Sequence, residues 1–165
     1  MKKCSVGWGA VMTEGLTSSV GAVGIGVSDL KRSVDFYTSV FGMKKVWKLK
    51  LPRMHEMVLA FEGGKGASLV LMHYVDGSNP GYTDNPVKLV FYVDDPQTVI
   101  DRIRREGWEV IREAAPVPEL QNAVVGLAKD PDGYLLEILK AAPKSPGSGF
   151  DPGSGDGKGG SDHDL

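Results

Sequence analysis

Residues 27–43, VSDLKRSVDFYTSVFGM, decide how the rest of the chain is read. Leu30, Val34, Tyr37 and Phe41 recur at intervals of three and four, which puts them on one face of a helix. Ser28 or Asp29 offers a side-chain oxygen to its first amides, and Gly42 offers the backbone freedom that ends it. Upstream, Val20–Val27 reads as a strand. Downstream, strands are expected at Met43–Leu51, Glu56–Phe61 and Ala67–Val75, separated by Pro52-Arg53 and by Gly63-Gly64-Lys65-Gly66. Together these segments make one βαβββ module.

The same order then returns. A strand at Val87–Val93 leads to a helix capped by Asp95, with Pro96 in its first turn and a stop at Gly107. Strands at Trp108–Arg112, Ala123–Ala128 and Tyr134–Leu139 complete the second copy. Val27 aligns with Val93, Asp29 with Asp95 and Gly42 with Gly107, a period of about 65 residues. Phe36 and Tyr37 bring aromatic bulk to a helix that must cover one face of a curved sheet, and Asp130-Pro131-Asp132-Gly133 is turn chemistry between two strands. The fold class is therefore α+β, with two tandem modules.

Composition narrows what such a chain does. With 165 residues, 41% of them hydrophobic, one domain is expected. Its parts are a loosely ordered extension over 1–19, a folded region over 20–142 with modules 20–75 and 87–141, and a disordered Gly/Ser/Asp-rich tail over 143–165. Nineteen basic and 21 acidic residues leave a net charge of -2, too little positive field to hold a phosphate backbone, so no nucleic-acid partner is expected. The single cysteine, Cys4, cannot form an internal disulfide, which fits the cytoplasm. Met1-Lys2-Lys3-Cys4 is basic like a signal peptide, but no continuous apolar run follows, and no stretch of about 20 apolar residues suggests a membrane span. Asp151, Asp156 and Asp162 in the tail lack the spacing of an EF-hand.

Two motifs, VSDLKRSVDFY continuing to Phe41-Gly42-Met43, and Lys129-Asp130-Pro131-Asp132-Gly133-Tyr134-Leu135-Leu136-Glu137, stand at the two ends of the duplicated region. With the duplication, they resemble the vicinal oxygen chelate superfamily, and its glyoxalase I, bleomycin resistance and extradiol dioxygenase-like members, over about Val20 to Ala141. The resemblance implies that each module curves its strands into half of a cup-shaped cavity. It also implies that paired modules surround one site, within a chain or across a two-fold dimer, so a homodimer is expected. In family enzymes that site holds a divalent metal through four side chains, two from each module.

Carried over residue by residue, the four ligand positions fall on Ala22, Val70, Lys88 and Glu137. Ala22 and Lys88 are 66 positions apart and Val70 and Glu137 are 67 apart, as the duplication requires. Alanine and valine have no donor atom, and an ammonium has no lone pair to give. Glu137 alone is retained, so no cofactor is expected at these positions; a divalent metal would have to find other side chains. His73 lies three residues from Val70 and faces the opposite side of its strand. His55 and Glu56 sit where a bend can turn either one inward, and His163 is in the tail. An arginine that holds a glutathione carboxylate in glyoxalase I corresponds here to Gly26.

The residues expected to line the cup alternate along the strands: Ala22, Gly24 and Gly26; Ser68, Val70, Met72 and Tyr74; Lys88, Val90 and Tyr92; Leu135 and Glu137. They read as a pocket for a largely apolar small molecule, with room left by the small residues, or equally as ordinary core filling. Gly21, Gly24 and Gly26 lie within a strand rather than in the turn after it, so they are not a dinucleotide fingerprint. Glu137, desolvated by Leu135 and its neighbours, can act as a general base, with Lys88 or Tyr92 stabilising an oxyanion or enolate. The same two charges can also form an ion pair that only fills the place of a metal. Three functions follow: a metal-independent isomerase or lyase acting on a carbonyl compound, a protein that sequesters a drug or metabolite, and a metal-dependent lactoylglutathione lyase-like or dioxygenase-like enzyme with ligands elsewhere.

Overall fold

The computed structural model describes residues 20–64, 66–78, 80–82 and 85–140. The loose extension expected over 1–19, the disordered tail expected over 143–165, and His163 lie outside them. The first module contains β1 (Ala22–Gly26), α1 (Leu30–Phe41), β2 (Lys44–Lys50), β3 (Met54–Ala60) and β4 (Ser68–Tyr74). The second contains β5 (Lys88–Tyr92), α2 (Pro96–Arg105), β6 (Val110–Val117), β7 (Ala123–Lys129) and β8 (Leu135–Lys140). Among the described residues, no helix is long and apolar enough to cross a membrane.

Both helices start as their sequences require. Asp29 stays extended and accepts a hydrogen bond from the Arg32 amide, while Gly42 takes the left-handed conformation (φ 71°) that releases the chain from α1. Asp95 accepts from the Gln97 and Thr98 amides, and Pro96 occupies the first turn, where its missing N–H costs nothing.

The strands form two four-stranded mixed sheets, ordered β1-β4-β3-β2 and β5-β8-β7-β6. In each, the first strand runs parallel to the last, because the helix between them is the crossover, and the other pairs are antiparallel. The duplication extends to register. Ala22 faces Ser68 and Gly24 faces Val70 in the first sheet; Lys88 faces Leu135 and Val90 faces Glu137 at the equivalent places in the second.

One face of each sheet is apolar and covered. Ile25, Leu59, Leu69 and Leu71 of the first sheet and Phe91, Leu136 and Ile138 of the second belong to a single buried cluster with Val34, Tyr37, Val40, Ile100 and Ile103 of the helices. Phe41 stacks on Phe91 at 3.9 Å between ring centres, and Phe36 meets Trp108 edge-on at 5.9 Å. These aromatic contacts cross from one module to the other, so the two copies share one core.

A polar latch reinforces that junction. The Asp130–Gly133 turn docks on the head of α1. The Asp132 side chain accepts from the Ser28 amide (3.0 Å), the Ser28 hydroxyl, the Arg32 guanidinium (2.9 Å) and the Ser33 hydroxyl (3.1 Å). Asp130 accepts from the Tyr37 hydroxyl at 2.8 Å and from the amides of Asp132 and Tyr134. Burial pushes the Tyr37 phenol well above its ordinary pKa, so it remains a donor, and burial likewise raises the Asp130 carboxyl. Ser28 thus belongs to the latch, and Asp29 is the helix cap.

One expectation changes. The strand expected at Trp108–Arg112 is instead Val110–Val117. Gly107 is left-handed (φ 84°) and Trp108 turns into the aromatic core, so pairing begins two residues later. It then runs past Arg112 through two irregularities in register. Pro116 is tolerated because β6 is an outer strand of its sheet. A short 3-10 turn at Pro118–Leu120 and left-handed Gln121 and Asn122 then lead into β7, a connection without a clear signal in the sequence.

Removing the Asp132 carboxylate would leave the Ser28 amide, the Ser33 hydroxyl and the Arg32 charge without their acceptor. Asp132→Ala should therefore lower unfolding free energy in urea by about 2–4 kcal/mol; a loss below about 0.5 kcal/mol would show that the latch is dispensable. The caps give a second expectation. Asp29 is held below its ordinary range chiefly by the Arg32 amide, and Asp95 chiefly by the Thr98 hydroxyl. Their stabilisation is present above the unfolded value of 3.8 and is lost as pH falls through the lowered folded values. Asparagine caps comparably but does not titrate. The Asp29→Asn, Asp95→Asn double variant should match the parent at pH 7 and lose less stability between pH 4 and pH 2, roughly the range where such linkage acts. Parallel acid-denaturation curves would contradict this.

Candidate functional site

The faces of the sheets turned away from the helices carry the residues expected to line a cup. Cross-strand register arranges them in rows, because directly paired residues share a face. In the first sheet one row runs Trp47–Val58–Val70–Gly24 and the next Leu49–Glu56–Met72–Gly26, with Ala22 beside Ser68 at one end and Tyr74 beside Met54 at the other. In the second sheet the row equivalent to the first is Arg112–Leu127–Glu137–Val90, flanked by Lys88 beside Leu135 and by Tyr92 beside Leu139. Each of these positions therefore shares the face of its sheet turned away from the helices.

The second module brings its two charged candidates together. Lys88 on β5 and Glu137 on β8 are offset by one pair along the same face, and the Lys88 Nζ donates to Glu137 Oε2 at 2.5 Å. Glu137 is enclosed, with 12% of its side chain exposed, while the Lys88 side chain is 50% exposed. The carboxylate lies between Val90 and Leu127, its partners on either side, so its neighbours within the sheet are apolar. Tyr92 is 55% exposed at the rim and takes no part in the ion pair.

The first module contributes less open space than its glycines suggest. The place a side chain would take at Gly24 is met by the Met72 thioether at 3.2 Å, and that at Gly26 by the Tyr82 ring at 3.0 Å. Met72 and Tyr82 occupy the room expected for a ligand. Larger residues at either position would have to displace them, which also rules out an arginine at Gly26 without moving Tyr82. Among the described residues, no hydrogen bond or ion pair joins the first-module lining residues to Lys88, Val90, Tyr92, Leu135 or Glu137.

A groove of about 970 Å³ lies between the modules, alongside the edge strand β5. Val23, Phe61 and Leu69 wall it on one side, and Lys88, Val90 and Tyr92 on the other. Of the expected site residues, Ser68, Lys88, Val90 and Tyr92 reach it, whereas Ala22, Gly24, Gly26, Val70, Met72, Tyr74, Leu135 and Glu137 do not. Trp47, Leu127 and Tyr82 were not foreseen as parts of the face, and Glu56, left between the two sides at a strand entry, falls on it. Register decides Trp47, Glu56 and Leu127, and Tyr82 comes from the loop between modules, where strand alternation gives no signal.

The metal implied by the resemblance can be tested against these donors. Ala22 and Val70 offer none, Lys88 brings a positive charge, and Glu137 is bound to that charge. Among the described residues, no group of three or more His, Cys, Asp or Glu side chains could hold an ion. Glu56 lies on the cup face of the first sheet, but its cross-strand partners Met72 and Leu49 bring no strong donor. His73 is on the opposite face, as expected, with Nδ1 3.0 Å from the Val27 carbonyl, and His55 shares that face. The residues at the family's ligand positions do not fit a metal.

Comparison with known proteins gives a consistent result. The family model for the Glyoxalase/Bleomycin resistance protein/Dioxygenase superfamily matches residues 19–138. The chain is 33% identical to a lactoylglutathione lyase of Salmonella typhimurium over 129 residues, covering 74% of this chain and 93% of that one. It is 34% identical to the lactoylglutathione lyase of Escherichia coli O157:H7 over 120 residues, covering 69% and 86%. Among solved structures, glyoxalase I from Zea mays superimposes with a TM-score of 0.65 at 25% identity, over 75% of this chain and 45% of the maize chain. This chain therefore spans about half the length of the maize enzyme. An antibiotic binding protein from Streptomyces shares the fold with a TM-score of 0.61 at 22% identity, over 76% and 98%.

Proposed function

The chain belongs to the Glyoxalase/Bleomycin resistance protein/Dioxygenase superfamily, and from that footing we propose that it is a metal-independent enzyme of the lyase or isomerase type acting on a small, largely apolar carbonyl compound. Similarity to lactoylglutathione lyases supports a lyase-type activity. The observation that carries the reading is the 2.5 Å contact of Lys88 with Glu137 at two of the family's former ligand positions.

Glu137 is the general base. It takes a proton from the carbon beside the substrate carbonyl, and the electron pair moves onto the carbonyl oxygen to give an enolate. The Lys88 ammonium has three N–H donors, one of which holds Glu137, so two are left for the developing oxyanion. Tyr92 supplies a hydroxyl at the rim. With an α-hydroxycarbonyl substrate, Glu137 returns the proton to the former carbonyl carbon of the enediolate while the hydroxyl proton passes to the other oxygen, which completes an isomerisation; with a leaving group on the β-carbon, the enolate electron pair reforms the carbonyl and a new double bond as that group departs, which completes an elimination. Gly26, where glyoxalase I has an arginine, offers nothing to a glutathione carboxylate, which favours a substrate without that tripeptide.

The cup is completed by a second copy of the chain. Trp47 (64% exposed) on the first cup face and Tyr92 (55%) and Val90 (42%) on the second leave apolar side chains that a partner's cup face would bury. Pairing the first sheet of one subunit with the second sheet of its partner would enclose Glu137 and give two sites per homodimer. The other reading, a protein that sequesters a small molecule, draws on the apolar groove beside β5 and on the antibiotic-binding structural neighbour.

Activity would be sought with small α-hydroxy- and α-ketocarbonyl compounds, followed by proton exchange with solvent deuterium. Turnover is expected to survive a chelator, and Glu137→Gln should reduce kcat/KM by about 10²–10⁴-fold while leaving the fold intact. Full activity in Glu137→Gln would exclude the mechanism, and tight binding with unaltered ligand would favour sequestration. Light scattering should give a dimer, and Trp47→Lys with Tyr92→Lys should shift it toward monomer; a monomeric parent chain would remove the shared-cup assembly.

A further inference from the structure

The face of the first sheet that turns away from the cup carries a feature the proposed chemistry does not use. His55 on β3 and His73 on β4 are directly paired in the antiparallel register, so both rings project from the same side of the sheet. Such partners have Cβ atoms about 4.5–5.5 Å apart, which allows one nitrogen of each imidazole to reach a common ion at about 2.0–2.1 Å.

We infer that His55 and His73 form a second site, separate from the cup, that binds one borderline divalent transition-metal ion of the nickel or zinc type. The inference does not rest on the acid-base reading of Glu137.

Three observations support it. First, His73 Nδ1 lies 3.0 Å from the Val27 carbonyl oxygen, which can only accept, so Nδ1 carries the hydrogen and Nε2 keeps its lone pair. A carbonyl hydrogen bond of this kind fixes the tautomer and orientation of a ligating imidazole and raises its basicity. Second, among the described residues the His55 ring has no hydrogen-bond partner, and both histidines are only half-buried, so an ion and its waters can reach them. Third, the next pair along this face, Met57 and Leu71, already belongs to the apolar layer under α1, so the histidines stand at the open margin of that layer.

The charges around the pair set its strength. Asp29, at the head of α1, is near enough for His73 to act on its carboxyl and adds negative potential. Lys50 is paired with His55 from the other side and opposes a cation, whereas Arg53 is engaged by Asp76 at 2.8 Å. Two imidazoles, water and one opposing ammonium describe a site of modest affinity. Imidazole selects nickel or zinc over magnesium, which prefers oxygen.

The test is thermal unfolding of the full chain, stripped of metal, with nickel, zinc or magnesium chloride added. An ion that bridges β3 and β4 binds only the folded chain and raises its melting temperature. With millimolar nickel or zinc the parent chain should gain about 3–6 °C, in proportion to the stabilisation expected of a site near saturation. Magnesium should give no gain. His55→Gln and His73→Gln should each abolish the gain, Lys50→Ala should increase affinity several-fold, and Glu137→Gln should leave the gain unchanged. His55→Gln removes no hydrogen bond of the fold, so its metal-free melting temperature should equal that of the parent. A gain that survives in both histidine variants, or no gain in the parent chain, overturns the site. Loss of the gain in Glu137→Gln would transfer the ion to the cup and overturn both this inference and metal-independent chemistry there.

Discussion

The junction between the two modules depends on one buried carboxylate. Asp132 is 2% exposed along its side chain and satisfies an amide, two hydroxyls and a guanidinium at the start of α1. Each of those donors would need water if the turn before β8 were elsewhere, so the desolvation of the acid is offset only in this arrangement. The neighbouring Asp130–Tyr37 contact extends the same constraint into the aromatic core. The turn of one module is thereby tied to the helix of the other, and the two copies pack as a unit rather than as linked halves. Everything on the cup faces is positioned relative to that junction.

Given this frame, the duplication shows how one backbone register can carry different chemistry. Gly24–Val70–Val58–Trp47 and Val90–Glu137–Leu127–Arg112 are the same row in two modules. The first is wholly apolar. The second holds an acid between apolar neighbours, with a lysine one step away. Exchanging ligand donors for alanine, valine and lysine leaves the fold unaffected, because these positions face away from the shared core. On the proposed reading, it alters what the cup can do, since a fixed ammonium beside a carboxylate would provide positive charge and a base.

The two faces of the first sheet also have separate roles. The helix-covered face is apolar until its margin, where the His55–His73 pair replaces leucine and methionine. The cup face keeps its small residues close to Met72 and Tyr82, so the glycines there serve close packing more than open volume. Alternation of side chains along a strand is what allows two unrelated surfaces to coexist on seven residues of β4.

The sequence by itself determined the order of the elements, the duplication, the Asp95 cap and the side on which residues of β1, β4, β5 and β8 fall, because these depend on local periodicity and on the conformational preferences of Asp, Pro and Gly; it left the α1 cap between Ser28 and Asp29. It also placed Lys88 at the point of the repeat equivalent to Ala22 and Glu137 at the point equivalent to Val70, since a period survives any later folding. Tertiary structure decided the rest. The Lys88–Glu137 contact depends on the parallel pairing of β5 with β8, two strands 49 positions apart at that point. The latch role of Asp132, the filling of Gly26 by Tyr82 and the pairing of His55 with His73 likewise arise from distances between segments far apart in the chain. Local preferences carry no information about those distances; packing and register fix them.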